Sequence, residues 1–187
     1  MSLDLPESSI PEWASIHTLI FDFDGVFTDN NVWVDQQGNE TVRCDRRDGL
    51  AFDLLRSFIL KNNWYVKYFI LSKEKNPVVS ARALKLKIPC YNDISNKINF
   101  VRDHLKNRFP HVEDSSKGVI YIGNDLNDLA AMSFAGYSVS PSDAHPIVQQ
   151  YASLVMHEKG GEGFVRAFVE KLLRIDKLDI RELAKLF

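Results

Sequence analysis

Short apolar runs and longer stretches of helical period alternate along the chain. The runs at residues 17–21, 65–71, 87–91, 118–122, 136–139 and 153–156 have the length of strands buried in a sheet interior. Between them Leu50, Leu54, Leu55 and Phe58, then Ile98, Val101 and Leu105, then Val165, Phe168, Val169 and Leu172 recur at spacings of three and four. That spacing predicts helices with these residues turned to the core. Strands alternating with helices predict the α/β class, as a single Rossmann-like parallel sheet flanked by helices. One segment breaks the rhythm. Residues 31–35 and 40–44 alternate around a turn containing Gly38, which predicts a β-hairpin flap after the first strand, over about 31–45. No stretch remains for a cap domain. The expected layout is an N-terminal extension over 1–15, one domain over 16–175 and a short amphipathic tail helix over 176–187.

Composition narrows the partners. The 187 residues are 45% hydrophobic and 26% charged, enough apolar content for one domain with a full core. The formal net charge of -2 leaves no basic excess for a phosphate backbone, so nucleic acid is not an expected partner. Cys44 and Cys90 stand far apart, as free thiols in a reducing compartment do. No run approaches the roughly 20 apolar residues of a membrane helix, and no basic leader opens the chain. A soluble, cytoplasmic protein with no membrane partner is expected.

The chemistry-bearing residues fall where predicted strands end. Asp22 and Asp24 follow the first strand, two apart and so pointing the same way, at the edge where open α/β sheets bind ligands. An acid pair before Gly25 is also a common solvated turn. Ser72 follows the second apolar run, where its hydroxyl can donate to a phosphoryl oxygen or cap the helix starting near Pro77. Lys97 opens a helix, against the helix dipole, which points to a functional role unless the side chain is simply solvated. Asn124, Asp125 and Asp128 lie at the next strand-to-helix turn. There acids favour a helix N-terminus, or with Asp22 and Asp24 form the oxygen-rich set a Mg²⁺ ion takes.

In order, D-x-D-G-V-x-T-D at Asp22–Asp29, then Ser72, then Lys97, then G-x-D-x-x-D at Gly123–Asp128, the sequence resembles the haloacid dehalogenase superfamily. The likeness runs from Ile20 to about Leu173. It is greatest to the capless branch of 3-deoxy-octulosonate 8-phosphate phosphatases, and a similar domain ends some acylneuraminate cytidylyltransferases. The resemblance implies a Mg²⁺-dependent phosphatase of small phosphorylated sugar acids, of the octulosonate 8-phosphate or nonulosonic acid 9-phosphate type. Asp22 would be the nucleophile that becomes an aspartyl-phosphate, and Asp24 the general acid and base. Ser72 and Lys97 would hold the phosphoryl oxygens. Asp22, the Asp24 carbonyl, Asn124, Asp125 and Asp128 would serve the metal and its waters. Thr28, Arg47, Lys73, Arg82 and Arg166 would meet the substrate, and the hairpin would build a homotetramer.

Four positions depart from the branch. Asn124 stands where an Asp ligand is usual, Lys73-Glu74 where Gly-Arg often follows the serine, and Glu162 where a basic residue often separates the glycines. A neutral amide ligand weakens a Mg²⁺ site, so the alternative reading is a catalytically weakened assembly domain. A phosphorelay receiver is disfavoured because it carries its phosphoacceptor on a later strand, and a true dehalogenase because that activity lacks the acid corresponding to Asp24.

Overall fold

The computed structural model describes residues 10–186. Residues 1–9 of the expected extension and Phe187 of the expected tail helix lie outside that range. All six predicted core strands form. They are β1 (Thr18–Phe21), β4 (Lys67–Leu71), β5 (Cys90–Tyr91), β6 (Val119–Ile122), β7 (Tyr137–Ser140) and β8 (Leu154–Val155). They pair in parallel in the order β5-β4-β1-β6-β7-β8. Most are shorter than the apolar runs, whose outer residues, such as the exposed Tyr65 and Lys87, lie in the flanking loops.

The helices α1 (Arg47–Asn62), α2 (Val78–Leu86), α3 (Lys97–Arg108), α4 (Leu129–Phe134), α5 (Pro146–Tyr151) and α6 (Phe164–Leu172) connect and cover the strands. Alternation along β1 sends Leu19 and Phe21 to one face and Ile20 to the other. The first face packs Phe21, Phe27, Phe52 and Phe168 between the sheet and helices α1 and α6. The second packs Phe69, Val101, Leu105, Tyr121 and Met132 beneath α3 and α4. With both faces covered, β1 and β6 are buried at every position.

Leu50 corrects the helical reading: it is 39% exposed. The buried stripe of α1 runs instead through Asp48, Ala51, Phe52 and Leu55, which share a face that Leu50 does not. Part of the stretch expected as an extension belongs to the core, since Ile10 is buried and Trp13 packs edge-on against Phe58 and Trp64. The tail forms a 3-10 turn at Ile175–Lys177 and then a short helix α7 (Ile180–Ala184) closed by a capping box from Asp179. Ile180 in that helix is exposed, whereas Leu186 beyond it is buried.

The hairpin is present as β2 (Thr28–Val34) and β3 (Glu40–Cys44), a separate antiparallel pair. It begins three residues earlier than its alternation suggests, because Thr28 pairs with Cys44 and a bulge separates this pair from the Val32–Val42 register. No helix among the described residues is long and apolar enough to cross a membrane, and both cysteines are free.

Candidate active site

The order of strands reverses between β1 and β6, where crossovers leave in opposite directions and a crevice opens beyond the strand ends. A cleft of about 370 Å³ occupies that place. It is lined by Asp22 after β1, Ser72 after β4 and Asn124 after β6, with Asp24, Asn30, Lys73, Glu74, Lys75, Asp125 and Asn127 around them.

Asp22 is 4% exposed, and its Oδ1 accepts the backbone N–H of Phe23 at 2.7 Å. The same oxygen lies 2.7 Å from Lys97 Nζ. Lys97 is as buried as its partner, so the alternative of a solvated lysine is excluded. It reaches Asp22 from the first position of α3, whose N-terminus Asn96 caps through the N–H of Asn99. Lys97 Nζ also donates to Asp128 Oδ1 at 2.8 Å. Burial and the negative charge of Asp128 push the Asp22 carboxyl well above its usual range, against the pull of Lys97. Burial acts to lower the Lys97 ammonium, but the two carboxylates outweigh it and hold the ammonium above its ordinary value.

Asp128 is placed differently from the metal role the resemblance implied. It is fully buried and does not line the cleft. Its Oδ1 takes Lys97 and the Tyr121 hydroxyl at 2.8 Å, and its Oδ2 takes the backbone N–H groups of Asn124 at 3.0 Å and Asp125 at 3.3 Å. With both oxygens engaged, it fixes the turn after β6 and aims Lys97. Tyr121, unremarkable as a core strand residue, is thus part of the support beneath the site.

Ser72 does not cap α2, since Asn76 Oδ1 takes the N–H of Val78 there. Its Oγ accepts the N–H of Glu74 at 3.0 Å, which leaves its proton to donate elsewhere. Burial raises the Asp24 carboxyl above the ordinary value, and the charge of Glu74 adds to the effect. Asn30, missed from sequence, enters the cleft from the hairpin at φ 62° beside the bulge. An Asn at the start of an irregular strand is the available signal, because this residue tolerates the left-handed region.

The expected substrate residues divide. Lys73 lines the cleft. Thr28 is buried, its hydroxyl accepting the N–H groups of Gly25 and Asn30 to hold the turn after β1. Arg47 pairs with Asp45, Arg82 donates to the Asp45 carbonyl and stands 3.5 Å from Asp48, and Arg166 pairs with Glu170. None of these arginines lines the cleft. Glu162 pairs with Arg43 at 3.3 Å.

Two glycines let the parts meet. Gly25 sits at φ +71°, and a Cβ on it would lie 1.9 Å from Asn124 Nδ2. A Cβ on Gly160 would lie 2.0 Å from the Gly25 carbonyl oxygen, so this glycine buttresses the turn that carries Asp24. Asn124 is 6% exposed and its Oδ1 has no hydrogen-bond partner. A buried, unpaired carbonyl oxygen beside a carboxylate is a donor set suited to a hard divalent cation such as Mg²⁺, which keeps several waters. Among the described residues no three His, Cys, Asp or Glu side chains form a metal cluster, consistent with an amide in this position.

A family profile described as haloacid dehalogenase-like hydrolase matches residues 88–168. The chain is 32% identical over 160 residues to the 3-deoxy-D-manno-octulosonate 8-phosphate phosphatase of Salmonella typhi, spanning 85% of this chain and 80% of that protein. A crystal structure of a haloacid dehalogenase family hydrolase from Streptomyces avermitilis superposes with a TM-score of 0.80 at 34% identity, covering 94% of this chain and 96% of that one. The cobalt-bound form of the deoxy-D-mannose-octulosonate 8-phosphate phosphatase from Haemophilus influenzae superposes at 0.74 and 25% identity, over 88% and 91% of the chains.

Proposed function

The chain belongs to the haloacid dehalogenase-like hydrolases, in the branch of the 3-deoxy-D-manno-octulosonate 8-phosphate phosphatases, and on that premise we propose that it hydrolyses small phosphorylated sugar acids with Mg²⁺ through an aspartyl-phosphate. As a member of that branch it is a phosphoric monoester hydrolase. The observation that carries the reading is the meeting of Asp22, Asp24 and Ser72 at one crevice, with Lys97 2.7 Å from Asp22, so that three separate segments converge there.

Asp22 attacks phosphorus, the bond from phosphorus to the ester oxygen breaks, and the leaving alkoxide takes the proton of Asp24. A raised Asp24 keeps that proton more readily than an ordinary carboxyl does. Water then attacks the phosphorylated Asp22, Asp24 takes back a proton, and phosphate leaves. Ser72 donates to a phosphoryl oxygen, and Lys97 offsets charge that would otherwise repel a carboxylate nucleophile. Asp22 and Asn124, with the Asp24 carbonyl, would hold Mg²⁺, which when bound neutralises phosphoryl charge. The exposed Val32, Trp33 and Val34 on a hairpin that pairs with no core strand support assembly as a homotetramer.

The test is Mg²⁺-dependent phosphate release from 3-deoxy-octulosonate 8-phosphate, nonulosonic acid 9-phosphates and p-nitrophenyl phosphate, by wild type and Asp22→Asn. Release that falls to background in Asp22→Asn is expected. Wild-type and variant protein releasing phosphate equally would sink the proposal.

A further inference from the structure

We propose that this site takes up its divalent cation and a phosphoryl anion as a pair, each binding weakly without the other, because Asn124 leaves the buried part of the cleft one charge short. The inference rests on the phosphatase reading for where the phosphoryl group sits, and adds a rule for how the site fills.

The argument is a count of buried charge. Asp22, Asp128 and Lys97 are each no more than 4% exposed, and Lys97 contacts both acids, so with Asp22 ionised, as a nucleophile and metal ligand must be, two carboxylates and one ammonium leave this group at a net charge of -1. Asn124 contributes an amide oxygen, buried and unpaired, with no charge. The remaining charged lining groups, Asp24, Lys73, Glu74, Lys75 and Asp125, are all at least partly exposed, where water screens them. A divalent cation entering alone would turn the buried group to +1, an uncompensated charge in a desolvated place. A phosphoryl anion entering alone would meet two carboxylates with only one ammonium, already shared between them. Together a divalent cation and a phosphoryl dianion add no net charge, so the buried group keeps the -1 it carries when empty. An aspartate at position 124 would start the group at -2, and a divalent cation alone would then neutralise it.

The same geometry explains why the deficit is not repaired locally. Asp125 is adjacent, but its Oδ1 caps the N–H of Leu126 at 2.7 Å. Asp128 is nearer in depth, but all its contacts are spent on the turn, Tyr121 and Lys97. No unengaged buried carboxylate therefore stands in for Asn124.

The experiment is calorimetric titration of the full chain with MgCl₂, without and with saturating inorganic phosphate, and the reciprocal titration of phosphate without and with Mg²⁺. Phosphate is expected to tighten Mg²⁺ by about tenfold or more, and Mg²⁺ to tighten phosphate by the same factor, as linkage requires. In Asn124→Asp, Mg²⁺ alone should bind roughly 10–100-fold more tightly and the mutual factor should shrink toward one. Wild-type Mg²⁺ affinity that is indifferent to phosphate would overturn the inference, and this reading needs no variant to fold. Failure of the enzymatic reading is separate: paired binding without hydrolysis of any ester removes the phosphatase and keeps the pairing, whereas hydrolysis with uncoupled binding does the reverse.

Discussion

Asp22 and Lys97 are held 2.7 Å apart at the end of the central strand, both almost wholly buried, and Lys97 is the only cation in contact with both Asp22 and Asp128 among the described residues. Removing the ammonium leaves two buried carboxylates facing one another. Lys97→Met is therefore expected to lose about 3–5 kcal/mol of folding stability, as breaking a buried pair by removing one partner does. Urea denaturation at pH 7 measures it, and a loss under about 1 kcal/mol would mean that the pair is not desolvated as described.

Tyr121 and Asp128 separate support from chemistry. Tyr121→Phe deletes one hydrogen bond to a charged acceptor and should lose about 1.5–3 kcal/mol. Since Tyr121 does not line the cleft, KM should hardly change. Asp128→Asn should lose more and lower kcat, because an amide cannot accept all four donors that the carboxylate serves. Steady-state kinetics beside denaturation curves distinguish the two variants, and a Tyr121→Phe protein with unchanged stability would contradict the assigned bond.

Gly25→Ala should be disabling in spite of its size. The residue sits at φ +71°, and the new methyl would meet the Asn124 amide, so backbone strain of about 1–2 kcal/mol comes with displacement of a proposed metal ligand. The expected readout is lost phosphate release in a protein that still gives a cooperative melt. Full activity in this variant would show that the Asn124 amide is not needed where it lies.

Asp48 should make stability depend on pH. Its carboxyl is buried, its Oδ2 lacks a hydrogen bond, and Arg82 at 3.5 Å only partly compensates. Burial pushes it from 3.8 to about 7, against Arg82, with Asp45 adding to the rise. A raised acid means that the folded state keeps a proton the unfolded chain has released. Stability should therefore fall as pH rises from about 4 to about 7, by at most about 1.4 kcal/mol per unit, and level off above. Asp48→Asn should flatten that slope when urea midpoints are followed from pH 5 to 8; an unchanged slope would assign it to other groups.

The hairpin carries the assembly prediction. Sedimentation at micromolar concentration should give a tetramer for wild type and smaller species for Trp33→Ser, since Trp33 is 61% exposed in the single chain. A wild-type monomer would remove the proposal.

Much of the fold was legible in the chain because strands of a covered parallel sheet are written as apolar runs, most completely in the fully buried β1 and β6, and six runs became the six core strands. The site was legible in order: Asp22, Asp24, Ser72, Lys97 and Asn124 each follow a strand or open a helix, and a parallel sheet collects those ends at one edge. Residue types and their sequence positions are enough for that much.

What only the tertiary structure decided is where each polar group spends its hydrogen bonds. Asp125 and Asp128 are the same residue type three positions apart. Folding puts one at the cleft and the other beneath it, where Tyr121, Lys97 and two backbone amides consume it. Arg47 and Arg166 pair with Asp45 and Glu170, close by in sequence, whereas Arg82 meets Asp48 only because the fold brings α2 against α1. Leu50 kept a core-like spacing but lost its place to Asp48. Spacing specifies which face a side chain leaves from, whereas desolvation, and a charge partner such as Asp22 or Asp128 for Lys97, depend on residues distant in sequence and are set only when the chain packs.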